Sequence, residues 1–331
     1  MAYTTINKSS DYFNTKLYSG TGSSNAVTGV GFQPDWVWVK NRTGTNNHRM
    51  ANAVSGSSEV HSSNITNVGA DSSYFSSFNS DGFTIGTAAD TNVNGGSFAS
   101  WNWKEGVNSG FDIVAYTGNG SARTISHSLN KIPTMIMIKD LSAATDWTIY
   151  HVGVGNTKRL VLNSTQAQED DASFFNDTTP TSSVFSVGSS SGVNLTGRNY
   201  IAYVFTDIVG YSKLGSYTGN GNTDGAFIYT GFAPKYIMVK DTTSVRNWHV
   251  FDTERDGYGK KNHDLKPNLS SAELSVDGVH WYDYLSNGFK VRMPTSNADY
   301  SDINASGNKY IYMAFAEAPL VGSNNVPATA R

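Results

Sequence analysis

A chain of 331 residues leaves room for two or three domains. Only 38% of residues are apolar and 15% charged, while aromatics reach 12%; this balance favours many short strands joined by polar turns over long helices. A net charge of −3 without a basic stripe argues against a nucleic-acid partner, and the lack of cysteine excludes disulfides and thiolate metal sites.

The opening residues, Met1 to Asn7, have neither the basic segment nor the apolar core of a signal peptide, so secretory export is not expected. No apolar run reaches the ~20 residues of a membrane span, so no membrane insertion is expected. The first landmark is a turn signal, Tyr18-Ser19-Gly20-Thr21-Gly22. It returns as Tyr116-Thr117-Gly118-Asn119-Gly120 and as Tyr217-Thr218-Gly219-Asn220-Gly221. Glycines at alternate positions suit a tight turn with positive φ after a tyrosine-bearing strand.

Next comes Pro34-Asp35-Trp36-Val37-Trp38-Val39-Lys40. Its counterparts are Pro133-Thr134-Met135-Ile136-Met137-Ile138-Lys139 and Pro234-Lys235-Tyr236-Ile237-Met238-Val239-Lys240. Proline blocks pairing upstream and sets an extended start. Val and Ile then fall on one face, and Trp, Met or Tyr on the other. A strand apolar on both faces belongs between two layers, so each copy is predicted to be a central strand.

After it stand Asp146-Trp147-Thr148-Ile149-Tyr150 and Asn247-Trp248-His249-Val250-Phe251, with His48-Arg49-Met50 in the first copy. A third landmark is Gly82-Phe83-Thr84-Ile85, matched by Val184 to Val187 and by Gly288 to Val291. Closing strands end each copy, through Trp101 and Trp103 to Glu105, Tyr200 to Asp207 and Tyr310 to Glu317.

Fixed order at a period of about 100 residues marks duplicated units. The expected fold class is all-β: three tandem β-sandwich, jelly-roll-like repeats of about 100 residues. The boundaries read as 1–107 with an N-terminal extension, 108–209, and 210–331 with an inserted loop at 253–284 and a C-terminal tail. The joins at Asn108-Ser109-Gly110 and Val209-Gly210 are too short for tethers, so the units are expected to pack in fixed relation.

One charge pattern recurs. The central strands end in Lys40, Lys139 and Lys240, and the closing strands in Glu105, Asp207 and Glu317; structural ion pairs between them are predicted, each worth at most about 1 kcal/mol if exposed. Trp36, Trp38, Trp101, Trp103, Trp147 and Trp248 read as core. Trp281, Tyr282 and Tyr284, after His280 in the inserted loop, are candidate ligand-binding residues or equally anchors for the loop.

Catalytic chemistry is poorly signalled. The seven histidines follow no metal-ligating spacing, and His151 and His249 read as structural. Carboxylate pairs such as Asp170 with Asp171, Glu254 with Asp256, or Asp299 with Asp302 could serve glycoside hydrolysis but stand where turns use Asp. Asn92 with Asn94, Asn297 with Asp299, and Asp302 with Asn304 are loose calcium candidates without an EF-hand glycine or distal Glu. No cofactor, no resident metal and no enzyme activity are expected.

Several stretches together resemble a family of repeat proteins encoded by tailed bacteriophages, marine ones especially. They are Met1 to Ile6, Tyr12 to Tyr18, Gln33 to Arg42, Phe78 to Phe83, Phe111 to Gly120 and Tyr310 to Glu317. The resemblance implies a virion structural protein assembled in the host cytoplasm, most simply a tail or fibre component or a host-surface glycan adhesin. Its implied partners are other virion proteins, copies of itself and a cell-surface glycan. The alternatives are a capsid decoration or head-fibre protein, and a glycan depolymerase.

Overall fold

The central strands explain the architecture. Trp36–Asn41 is buried at all six positions, Met135–Asp140 likewise, and Phe232–Asp241 is buried except at Ala233. A strand with no wet face must carry a separate apolar layer on each side. In the computed structural model, described for residues 4–69, 71, 73–256, 260–261, 263–275, 281–292 and 301–321, those layers differ in kind.

One face looks into a local core. Val37 and Val39 pack with Phe83, Ile85 and Phe98, Ile136 and Ile138 with Phe185 and Val187, Ile237 and Val239 with Phe289 and Val291. The other face looks into a core that all three copies share. There Trp36 and Trp38 meet Met135, Met137, Tyr236 and Met238. Its rings interleave across copies: Trp36 lies 4.6 Å from Tyr203 and Phe13 stacks on Phe315 at 4.9 Å, arrangements that add to area burial.

The chain is thus built of antiparallel sheets in layers, the all-β class expected from the sequence. One strand order recurs in three inner sheets: first strand, closing strand, central strand, following strand. In the first these are Phe13–Ser19, Ser97–Trp103, Trp36–Asn41 and Arg49–Asn52, followed by Gly56–His61. In the second they are Phe111–Thr117, Asn199–Phe205, Met135–Asp140 and Thr148–His151, followed by Lys158–Val161 and Glu169–Asp170. In the third they are Ser212–Thr218, Lys309–Pro319, Phe232–Asp241 and Trp248–Asp252. Registers agree, with Trp36 opposite Trp103, Met135 opposite Phe205 and Tyr236 opposite Phe315. Smaller outer sheets cover the local cores and contain Gly82–Ile85, Val184–Val187 and Gly288–Val291.

The tyrosine–glycine turns have two causes. Only the second glycine has positive φ: 72° at Gly22, 76° at Gly120 and 67° at Gly221. The first is needed for close approach, since a Cβ on Gly20, Gly118 or Gly219 would lie 2.1–2.2 Å from the carbonyl oxygen of Val93, Leu195 or Ala305. Each tyrosine hydroxyl then donates to a carbonyl of the segment before the closing strand: Tyr18 to Thr91, Tyr116 to Val193, Tyr217 to Ile303. Among the described residues no helix is long and apolar enough to cross a membrane.

Candidate functional site: the seam between the sheets

The polar groups of the seam form two rings. In the first, the backbone N–H of His48, Trp147 and Trp248 donates to the side-chain oxygen of Asn64, Asn163 and Asn268, at 3.0, 2.8 and 2.9 Å. This holds a loop of each copy beside its own following strand. The ring nitrogens then reach into a neighbouring copy. Trp147 Nε1 donates to the Ser62 carbonyl at 2.7 Å and Trp248 Nε1 to that of Val161 at 2.9 Å. His48 Nδ1 accepts from Trp38 Nε1, so its Nε2 carries the proton and donates to the Lys266 carbonyl at 3.1 Å. The contacts run second copy to first, third to second and first to third, and so close on themselves.

The second ring uses residues at the far end of the following strands. Asn52 donates its amide to the Tyr203 hydroxyl at 3.0 Å. His151 Nδ1 accepts from the Gly153 N–H, which leaves Nε2 to donate to the Tyr312 carbonyl at 3.3 Å. Asp252 accepts from Trp101 Nε1 at 3.0 Å. Burial pushes the imidazole of His151 down to about 4 and that of His48 well below its ordinary range, so both are neutral donors.

A carboxylate at Asp252 needs a counter-charge in this dry position. Arg255 supplies it, with Nε 2.6 Å from Asp252 and Nη1 2.8 Å from Glu273. Arg42 of the first copy closes the network with a second, bidentate grip on Glu273. Despite burial, Arg255 and Arg42 hold Glu273 below the usual carboxylate range.

The six predicted ion-pair residues do not pair as expected, and strand direction is the reason. Central and closing strands are antiparallel, with Lys40 opposite Ala99. Glu105 is six residues further on, roughly 20 Å at the rise of an extended strand. Lysine and acid therefore stand at opposite ends of each sheet. The lysines are fully buried and donate to carbonyls instead: Lys40 to Asn41 and Gly44, Lys139 to Thr66 and Thr145, Lys240 to Thr165, Asp241 and Arg246. Thr66 and Thr165 belong to the preceding copies, so Lys139 and Lys240 also cross the seam. Burial pulls all three ammonium groups down to about 8.

Two of the acids join consecutive copies, and Glu317 pairs within its own. Glu105 accepts from the Ile113 N–H at 3.1 Å and Asp207 from the equivalent Leu214 N–H at 2.9 Å. Asp207 also pairs with Lys213, and Glu317 with Lys235. Where Lys213 stands, the first junction has Asp112. Burial and the Asp112 contact push Glu105 up to about 7.

The aromatic run of the inserted loop is an anchor. Trp281, Tyr282 and Tyr284 are buried, and His280 lies outside the described residues. Trp281 packs 5.1 Å from His249 and 5.3 Å from Phe251, and the Tyr284 hydroxyl donates to the Phe251 carbonyl. These side chains are walls of the third local core, so a surface ligand has no access to them. His249 itself carries a charge cluster missed in the sequence, with Nδ1 3.0 Å from Asp264 and Nε2 3.2 Å from Asp302. Burial alone would depress this imidazole, but Asp264 and Asp302 outweigh it and raise it to about 9.

The candidate acids have structural duties. Asp170 pairs with Lys158, Asp171 caps the Ser173 N–H, Glu254 pairs with Lys235 and Asp256 with His263. Asn92 and Asn304 accept from the Thr21 and Asn220 N–H groups of the tyrosine–glycine turns and donate to the Gly86 and Asn222 carbonyls, while Asn297 and Asp299 lie outside the described residues.

A family model described as a domain of unknown function (DUF7483) matches residues 8–319. No curated protein matches the chain. A solved structure described as the crystal structure of the STIV MCP aligns over 92% of this chain and 95% of its own, at 8% identity and a TM-score of 0.18, a likeness too low to carry any inference.

Proposed function

The chain belongs to the DUF7483 family, and from that footing we propose that it is a non-catalytic structural component of a virus particle. The observation that carries this reading is the closed seam. Two rings of side chains, three buried lysines and the Arg255 network lock three sheets around one core, and His48, His151, Asp252 and Glu273 are spent on that lock. Such a chain is suited to bear load and present surface loops. The motif likeness to tailed-phage repeat proteins supplies the particle.

Within that reading the chain is a tail or fibre component, or an adhesin for host-surface glycan, working with other virion proteins and copies of itself. A head position, as a capsid decoration, is favoured by one feature: the ring presents three similar corners, which suits a three-fold point of a lattice.

Immunogold labelling of purified particles with an antibody against this chain tests the reading. Label on tails supports the first location and label on heads the second. Particles free of label while the antigen remains in the lysate would overturn a virion role. Release of reducing ends from host polysaccharide, abolished in an Asp302→Asn or Glu254→Gln variant, would overturn the non-enzyme reading.

A further inference from the structure

Comparing the three copies place by place shows one site where a charge pair is replaced by two small uncharged residues. Opposite Val39, Ile138 and Val239 stand Arg49, Thr148 and His249. The segment before each closing strand can be aligned through Asn92, Asn194 and Asn304, whose side chains accept the N–H of Thr21, Asn119 and Asn220. Two places earlier stand Asp90, Gly192 and Asp302. In the first copy Arg49 pairs with Asp90 at 2.6 Å. In the third His249 meets Asp302 at 3.2 Å. In the second the same two places hold the uncharged Thr148 and Gly192, and a Cβ on Gly192 would meet Phe174 Cε1 at 3.2 Å and Thr148 Oγ1 at 3.5 Å.

A cleft of about 400 Å³ opens at this point, within the roughly 300–1,000 Å³ of small-molecule sites. Thr148 is fully buried on its wall. Its hydroxyl, like that of Thr145, has no hydrogen-bond partner among the described residues. A buried hydroxyl without a partner is a cost that a ligand can remove. Lys139 braces the opposite wall by donating to the carbonyls of Thr66 and Thr145.

The lining selects the ligand class. Arg159 is paired with Glu169 at 2.7 Å, and Asp146 accepts from the neutral Asn163 amide at 2.7 Å with the Lys139 ammonium as its charged neighbour. What remains is a set of hydroxyls that both donate and accept, beside the plane of Arg159 stacked 3.9 Å from the Phe174 ring. The geometry points to a neutral, hydroxyl-rich ligand in the second-copy cleft, the chemistry of a single sugar residue, held by Thr148 and Thr145. This deepens the glycan-adhesin reading and takes its biological sense from it. The cleft can be tested on the purified chain, so failure to bind sugar would leave the particle assignment, tested by labelling, untouched.

The experiment is saturation-transfer NMR on the full chain with the methyl glycosides of glucose, galactose, mannose and N-acetylglucosamine at millimolar concentration, and inorganic phosphate as a separate probe. At least one glycoside should bind, and Thr148→Val, which keeps the volume, should weaken it about five- to tenfold. The double variant Thr148→Arg with Gly192→Asp, which imports the first copy's pair, should abolish binding; if it misfolds, Thr148→Val alone decides. No signal from any glycoside, undiminished binding to Thr148→Val, or binding of phosphate alone would each overturn the proposal.

Discussion

Asn52 and Tyr203 stand 151 positions apart in sequence, yet the amide of one donates to the hydroxyl of the other at 3.0 Å inside the seam. The equivalent corners use an imidazole against a main-chain carbonyl, His151 with Tyr312, and an indole against a carboxylate, Trp101 with Asp252. One geometric place is thus filled by three chemistries, and each corner can be perturbed alone.

The corners should differ in cost. Tyr203→Phe strands one buried neutral amide, which costs about 1–3 kcal/mol. Arg255→Met strands the buried carboxylate of Asp252, while Glu273 keeps its grip from Arg42; removing one partner of a buried pair costs about 3–5 kcal/mol. Urea unfolding of the two variants beside the parent chain measures both; equal losses would show that the Arg255 network is not desolvated.

His249 predicts a fall in stability with rising pH. Its imidazole is raised from 6.5 to about 9 in the folded chain. The stabilisation is therefore complete below pH 6.5 and is lost as pH rises through 9. Lys40, Lys139 and Lys240 are lowered from 10.5 to about 8, so they act in the opposite sense above pH 8. The clean window is pH 7–8, above the Glu105 transition and below that of the lysines. There the unfolding midpoint of the parent should fall more steeply than that of His249→Gln; identical slopes would mean a neutral imidazole.

Glu105 predicts a second, separable window. Its carboxyl is raised from 4.5 to about 7, so the folded state disfavours the charged form. The penalty is absent below pH 4.5 and complete above pH 7. Glu105→Gln keeps an acceptor for the Ile113 N–H and can donate to Asp112. The variant should match the parent near pH 4.5 and exceed its thermal midpoint at pH 8. A lower midpoint at pH 8 would mean that the ionised form is stabilised at the junction.

Trp281 should behave as core. Trp281→Ala opens a cavity against His249 and Phe251, a loss of about 3–5 kcal/mol in buried Trp or Phe truncations. A change under about 0.5 kcal/mol, the range of surface positions, would contradict its burial.

The central strands and the copied order were legible because burial on two faces leaves a continuous apolar run that polar turns bound sharply. The seam was not. Lys139 and Trp147 reach the carbonyls of Thr66 and Ser62, and a carbonyl has no residue type to read. The lysine–acid pairing failed on strand direction, which the strand motifs alone do not encode. For the inserted loop a signal existed: Tyr282-Asp283-Tyr284 alternates apolar, polar, apolar, as a half-buried strand does, and Tyr282–Leu285 is one. Asn64, Asn163 and Asn268 could have been found too, since each follows its His or Trp partner by 16, 16 or 20 residues.

The two-faced central strand has a consequence for synthesis. While only the first hundred or so residues have left the ribosome, Trp36, Trp38, Trp101 and Trp103 have no companions and face water or whatever else is sticky nearby. Each sheet also waits for its closing strand, as Phe13 waits for Trp103, and such distant pairings form slowly. Nascent chains should need shielding until the last strand emerges, and fragments cut at either junction should aggregate rather than fold.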